Sequence, residues 1–214
     1  MPIKFGTYNI RNGRSGGLEA ALRAMEQGNI DIGFMQETKI TDRVYTRASA
    51  GYRVVATDAP SRHRGGIAVF YREGAGFAVE EVRQYGTNVS SGEVVSGRRR
   101  VYIVGCYIAP DDAQTIERVV KALKDKPPGS ALVVAGDLNT DLGEVEGDRR
   151  GTEISAAMTE AGLEDMATHF LPRRRRWGRE RRTWAMVRGG KAERSKTDYI
   201  LGTDRRLFMN HFGC

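Results

Sequence analysis

The chain has 214 residues, enough for one domain with a sizeable core. Lys and Arg total 34 against 27 acids, a surplus of +7 that favours a polyanionic partner, either nucleic acid or an anionic membrane surface. Two cysteines, Cys106 and Cys214, exclude a disulfide framework and point to a reducing compartment. No apolar run approaches the ~20 residues of a membrane span, and the start, Met1 to Phe5, lacks the apolar core of a signal peptide.

In chain order, Ile3 to Ile10 reads as a strand, and Gly13, Gly16 and Gly17 then form a loop. Leu18, Leu22 and Met25 have helical spacing, so residues 17–27 are expected to be a helix. Ile30 to Gln36 is a second strand, ending at Glu37. This first β-α-β passage places Asn9 and Glu37 at two strand ends, where ligands of α/β sheets commonly sit. Further strands are expected over Gly51–Thr57, Gly65–Tyr71, Phe77–Val82, Glu93–Val95 and Arg100–Ile108.

Asp111 or Asp112 can cap a helix carrying Ile116, Val119, Val120 and Leu123, which Pro127-Pro128-Gly129 ends. Ala131 to Ala135 is a short apolar run with β-branched Val133 and Val134, a buried strand. It stops at Gly136, Asp137 and Asn139. Residues two apart on a strand share a face, so Asp137 and Asn139 project together if extended geometry persists. Ile154, Met158 and Ala161 mark another helix. Residues 172–182 are intensely basic, with Arg173, Arg174, Arg175 and Arg176 beside Trp177. Arg182–Val187 and Lys196–Leu201 read as the two arms of a hairpin around Gly189-Gly190. No repeat, linker or domain boundary is evident, so residues 1–206 are read as one domain and 207–214 as a short divergent tail.

The polar residues that close apolar runs are Asn9, Glu37, Tyr107, Asp137, Asn139 and Asp198. Any one alone is more often a turn former than a catalyst. Together, the pieces Tyr8-Asn9-Ile10, Gln36-Glu37-Thr38, Gly66 to Phe70, Tyr107 to Pro110, Gly136 to Asn139, Thr183-Trp184 and Thr197 to Leu201 resemble the endonuclease/exonuclease/phosphatase superfamily in content and order. The Gln36-Glu37-Thr38-Lys39 and Gly136-Asp137-Leu138-Asn139 pieces and the Asp198 hairpin look most like the apurinic-type endonuclease domains of non-LTR retrotransposons.

That resemblance implies an α/β fold: a four-layer sandwich of two packed mixed β-sheets flanked by helices, lacking the last strand or strands. It implies hydrolysis of a DNA phosphodiester with Mg²⁺, or Mn²⁺ in its place, inside the cell, in nucleus or cytoplasm. It also implies a reverse transcriptase region in a longer parent polyprotein. Glu37 would ligate the metal with Asn9 beside it. Asp137 would activate the attacking water, Asn139 and Tyr107 would hydrogen-bond the phosphate, and Asp198 would join the acid and histidine network. Trp184 would shape the substrate groove. From the residues themselves, Asn12 is expected to lie near the metal or to cap the Gly13 turn, and the Arg173–Arg182 run is either a solvated charge run or, the favoured reading, a loop whose Arg173, Arg174, Arg175 and Arg176 contact the DNA backbone while Trp177 stacks on a base.

The sequence departs from the family pattern at one point. The family closes with Ser-Asp-His, and no such triplet occurs here. His211, after Asn210, follows Asp198 too soon to replace it. Severely reduced activity is the expectation, with a non-catalytic nucleic-acid-binding remnant, or a phosphatase of lipid or inositol phosphates, as alternatives.

Overall fold

A computed structural model describes residues 3–11, 13, 16–41, 45–49, 51–143, 148–170, 184–188, 191–195 and 197–204; for 45–49, 170, 184–188 and 191–195 it describes the backbone alone. The chain runs β1 (Phe5–Asn9), α1 (Gly17–Gln27), β2 (Ile32–Gln36), β3 (Tyr45–Ser49), β4 (Tyr52–Ala56), β5 (Ile67–Arg72) and β6 (Ala78–Gln84). There follow β7 (Val89–Ser96), β8 (Arg99–Tyr107), α2 (Ala113–Lys124), β9 (Ala131–Asp137) and α3 (Arg149–Glu160). Last come β10 (Glu164–Asp165), α4 (Met166–Phe170), β11 (Trp184–Arg188), β12 (Lys191–Ser195) and β13 (Asp198–Gly202).

Two mixed sheets form the body. One is ordered β1-β2-β5-β4-β3 and the other β10-β13-β9-β8-β7-β6. The alternation of side chains along each strand sorts the core into layers. Ile32 and Phe34 of β2 pack against Ile103 of β8 and Val133 and Ala135 of β9, so these residues fill the space between the sheets. The intervening Met35, with Phe70 and Tyr52, faces outward under Leu18, Leu22 and Met25 of α1. On the other sheet Val104, Cys106, Leu132 and Val134 face outward under Ile116 and Val119 of α2 and Ile154 and Met158 of α3. The order is helix, sheet, sheet, helix, the four-layer sandwich expected. Asp112 caps α2 by accepting the Thr115 backbone N–H at 3.2 Å.

At Gly105 the two sheets approach closely. A Cβ there would lie 2.0 Å from Cδ1 of Phe34, so only glycine lets that ring cross the interface.

The structure corrects the expected hairpin. Strands β11 and β12 do pair antiparallel, but the second arm is β12, with Trp184 paired to Ser195 and Arg188 to Lys191; Gly189 and Gly190 lie outside the described residues. Thr197 to Leu201 leaves the hairpin, and β13 pairs with β9 in the main sheet. The physical reason is burial on both faces. Tyr199 and Leu201 pack into the helix-side core while Ile200 faces the other sheet, and a two-stranded ribbon cannot cover both sides. Strand β7 is longer than Glu93–Val95, because Ser90, Ser91 and Gly92 are all buried strand residues despite their polar or small side chains. The polar β3, and the short β10 and α4, went unread. Residues 207–214 lie outside those described.

Candidate active site

The parity that fills the inter-sheet core also builds the site. In β1, Phe5 faces the other sheet, so Thr7 and Asn9 do too. In β9, Val133 and Ala135 face inward, and Asp137 follows them. Ile103 of β8 puts Tyr107 inward, and Ile200 of β13 does the same for Asp198. The register sets three of these in one row across the sheet: Tyr107 is partnered with Asp137, and Asp137 with Asp198. All four lie at the same rim of the sandwich, where the apolar filling runs out.

Contacts across the two sheets close the cluster. Asn9 Nδ2 donates to Glu37 Oε1 at 2.9 Å and to Asp137 Oδ2 at 3.0 Å. One amide therefore bridges carboxylates from both sheets. The Asn139 backbone N–H donates to Asp137 Oδ1 at 3.0 Å, and Lys39 Nζ lies 3.4 Å from Glu37 Oε2. Thr197 Oγ1 lies 3.4 Å from Asp198 Oδ2.

Burial raises the Asp137 pKa above the usual carboxylate value, and the Glu37 charge adds to the rise. The Asn9, Asn139 and Thr197 hydrogen bonds oppose it. Tyr107 is pushed up to about 12, first by burial and then by the Glu37 and Asp137 charges. Its hydroxyl is therefore a proton donor throughout the neutral range. The Asn139 amide lies near enough to that hydroxyl to oppose the rise. Yet Asn139 Nδ2 is a buried donor that no acceptor satisfies among the described residues.

Backbone geometry at this rim is unusual. Among the described non-glycine residues six have positive φ, and four of them surround the cluster: Arg11 at 54°, Glu37 at 54°, Lys39 at 54° and Asn139 at 49°. Strained turns of this kind concentrate at functional sites. Arg11 N–H donates to Asn9 Oδ1 at 3.0 Å, and Thr38 and Lys39 N–H donate to the Gly66 and Gly65 carbonyls at 3.2 and 3.0 Å. These bonds hold the turns that aim Asn9 and Glu37.

The structure thus brings together Asn9, Glu37, Tyr107, Asp137 and Asn139, and sets Asp198 next to them in register. Asn12, Arg173 to Arg176, Trp177 and His211 lie outside the described residues, as does the Trp184 side chain. Sequence reasoning missed Thr197, whose contact with Asp137 depends on strand register. It also missed Arg150, whose guanidinium reaches four strand-end carbonyls. One signal was available: an arginine in the first turn of a helix opposes the helix dipole and needs another reason to be there.

Residues 6–211 match the pattern of the Endonuclease/Exonuclease/phosphatase family. The chain belongs to this family. Several solved structures share its fold. One is the endonuclease domain of TRAS1, a telomere-specific non-LTR retrotransposon, at TM-score 0.71 and 19% identity over 96% of this chain and 87% of that one. An endonuclease/exonuclease/phosphatase family protein from Leptotrichia buccalis aligns at TM-score 0.64 and 11% identity, over 95% of this chain and 88% of that one. TDP2 of D. rerio, complexed with a single-strand DNA product, aligns at TM-score 0.60 and 13% identity, over 94% and 83%. No curated protein is similar enough in sequence to match. Family members are usually hydrolytic nucleases or phosphatases.

Proposed function

We propose that this chain is a divalent-metal-dependent endonuclease that hydrolyses phosphodiester bonds in DNA, of the retrotransposon type. The observation that carries the reading is the bridge Glu37–Asn9–Asp137 beside an unsatisfied Asn139 donor. A phosphodiester repels an attacking hydroxide. Its hydrolysis needs cationic stabilisation, a held water and donors to the phosphate oxygens.

The residues fit Mg²⁺. The available ligands are hard oxygens, from the Glu37 carboxylate and the Asn9 carboxamide, and Mg²⁺ asks for only one or two carboxylates. Mg²⁺ keeps several of its positions for water and substrate oxygens. Bound there, the metal would supply positive charge to the phosphate.

The chain's own residues do the rest. Asp137 is a buried carboxylate with a raised pKa, suited to accept a proton from a water and hold it in line. Asn139 Nδ2, which stands beside the Tyr107 hydroxyl, has donor capacity left for a phosphate oxygen. Tyr107, protonated at neutral pH, donates to a second. Asp198 steadies the far end of the row. The +7 charge, and the sequence run Arg173, Arg174, Arg175, Arg176 and Trp177, suit a long polyanion with bases to stack on. Trp184 and Asn12 would flank the groove. A DNA substrate places the protein in nucleus or cytoplasm.

No Ser-Asp-His triplet occurs within these 214 residues, and a second reading is a non-catalytic nucleic-acid-binding remnant. Nicking of supercoiled plasmid separates them. Mg²⁺-dependent nicking that Asp137→Asn lowers by at least ~100-fold supports the first. Tight, salt-sensitive DNA binding with no nicking assigns the second. Competition by a soluble phosphomonoester rather than by duplex DNA would point to a phosphatase.

A further inference from the structure

Arg150 occupies the first turn of α3, where a cation is unfavourable on dipole grounds. Its guanidinium is partly buried, and that burial lowers its pKa against the opposing pull of Asp148 and Asp137. It makes none of its hydrogen bonds to a carboxylate among the described residues. Nη1 donates to the Asn139 carbonyl at 3.1 Å. Nη2 is shared among the carbonyls of Leu138 at 3.1 Å, Ala109 at 3.3 Å and Ile108. Those four carbonyls belong to the two segments that leave β8 and β9. Both ladders end there; the Ala109 oxygen also accepts the Asp112 N–H at 3.1 Å, and for the oxygens of Ile108, Leu138 and Asn139 the guanidinium supplies a donor.

The consequence is geometric. Ile108 and Ala109 follow Tyr107 directly, and Leu138 and Asn139 follow Asp137 directly. One planar fork therefore fixes both chain exits at once. Near the same point Thr140 Oγ1 donates to Asp148 Oδ2 at 3.0 Å, which ties the end of the Asn139 loop to the start of α3. Asn139 sits at φ 49°, a backbone conformation that needs outside support.

We propose that Arg150 is a positioning residue for the hydrolytic site: its guanidinium clamps the β8 and β9 exits and thereby sets Tyr107, Asp137 and Asn139 relative to one another. This rests on the phosphodiesterase reading for its consequence in turnover, but the clamp itself does not. A single charge would not do the same work. Lysine offers a compact ammonium that cannot span four carbonyls in a plane.

The test uses the full chain with Arg150→Ala and Arg150→Lys. Amide hydrogen exchange is followed in peptides covering 107–110 and 137–141, alongside plasmid nicking in Mg²⁺. Both variants are expected to melt cooperatively and to exchange ~10-fold faster in those two segments and not elsewhere. Both are expected to lose ~100-fold in kcat, as for a small misplacement of reacting groups, with KM little changed. Millimolar guanidinium should restore part of the Arg150→Ala rate, and sodium chloride of equal strength should not.

Unchanged exchange in the Arg150→Ala variant overturns the clamp. Full exchange protection and turnover in Arg150→Lys would reduce the role to charge alone and also overturn it. A rise in KM at constant kcat would make Arg150 a substrate contact instead. Loss of cooperative melting in both variants would make it a general fold determinant and refute the local claim. A parent chain that does not nick would sink the phosphodiesterase reading, while the exchange measurement would still decide the clamp.

Discussion

Asn9→Asp is the most revealing substitution in the cluster. The Asn9 amide donates to Glu37 at 2.9 Å and to Asp137 at 3.0 Å, and the substitution turns that donor into a third carboxylate. Two unit charges about 3 Å apart repel by ~5 kcal/mol at an effective dielectric of about 20. The repulsion has a ceiling, because the new carboxyl can take up a proton instead. Protonating an ordinary aspartate at pH 7 costs ~4 kcal/mol, about three pKa units at 1.36 kcal/mol each. The metal-free variant should therefore lose ~4 kcal/mol, or roughly 8–16 °C in Tm for a chain of this size. The sign with pH follows from the raised folded-state pKa of the new carboxyl. The deficit vanishes below its unfolded value and grows as pH rises, so near pH 5 it should shrink to ~1.5 kcal/mol. Mg²⁺ should reverse the ranking of gains: three carboxylates hold a hard divalent cation better than two, so Mg²⁺ should raise the variant's Tm more than the parent's. Differential scanning calorimetry at pH 5 and 7, with and without Mg²⁺, reads all four values. A deficit indifferent to both pH and Mg²⁺ would refute the bridge and the metal reading together.

Asp137 itself has a raised folded-state pKa, so its contribution to stability is complete below the unfolded value and is lost as pH rises through the folded one. Asp137→Asn should flatten the fall in urea midpoint as pH rises above about 4, and a parent-like slope would contradict the burial of this carboxylate. Gly136→Ala should cost more than ~3 kcal/mol by urea denaturation, because a Cβ at that position would lie 1.8 Å from the Cys106 carbonyl oxygen and force β9 away from β8; a loss below ~1 kcal/mol would show that the strands can part. Replacing Arg173, Arg174, Arg175 and Arg176 with alanine should flatten the log Kd versus log salt plot for duplex DNA by up to ~4 in slope, and an unchanged slope would assign the run to solvent.

Much of the fold is legible because its central strands are apolar and β-branched. Ala131–Asp137, Arg99–Tyr107 and Ile32–Gln36 are buried on both faces or nearly so, and such runs announce themselves. Strand β7 hides because Ser90 and Ser91 satisfy their hydroxyls internally: Tyr102 donates to Ser91 Oγ at 2.8 Å, and Ser90 donates to the Arg83 carbonyl at 3.2 Å. The reading of Lys196–Leu201 as a hairpin arm followed proximity in sequence. What decided the pairing was the need of Tyr199 and Leu201 for the helix-side core, which local pattern does not reveal. The site residues were found as polar endings of apolar runs. Their mutual arrangement was not, since the Asn9–Asp137 contact spans 128 positions and exists only once two sheets are stacked.

The location of the cluster follows from side-chain size along the inner faces. Phe34 lies over Gly105, filling the inter-sheet space just below the rim. One step further along β8 and β9 the inward positions are Tyr107 and Asp137, and on β1 the change begins at Thr7, which accepts from buried Gln36 Nε2 at 2.9 Å, and continues at Asn9. The β8 and β9 side of the layer is therefore apolar up to Gly105 and Ala135 and polar beyond them. That boundary explains why Asp137, only 6% exposed, carries the cost of burial while partner groups from both sheets crowd around it. A carboxylate deeper in the layer would be neutral, and one further out would be hydrated and free to move. At the boundary it stays available to a proton or a cation, held in place by donors on three sides: Asn9, the Asn139 backbone and Thr197.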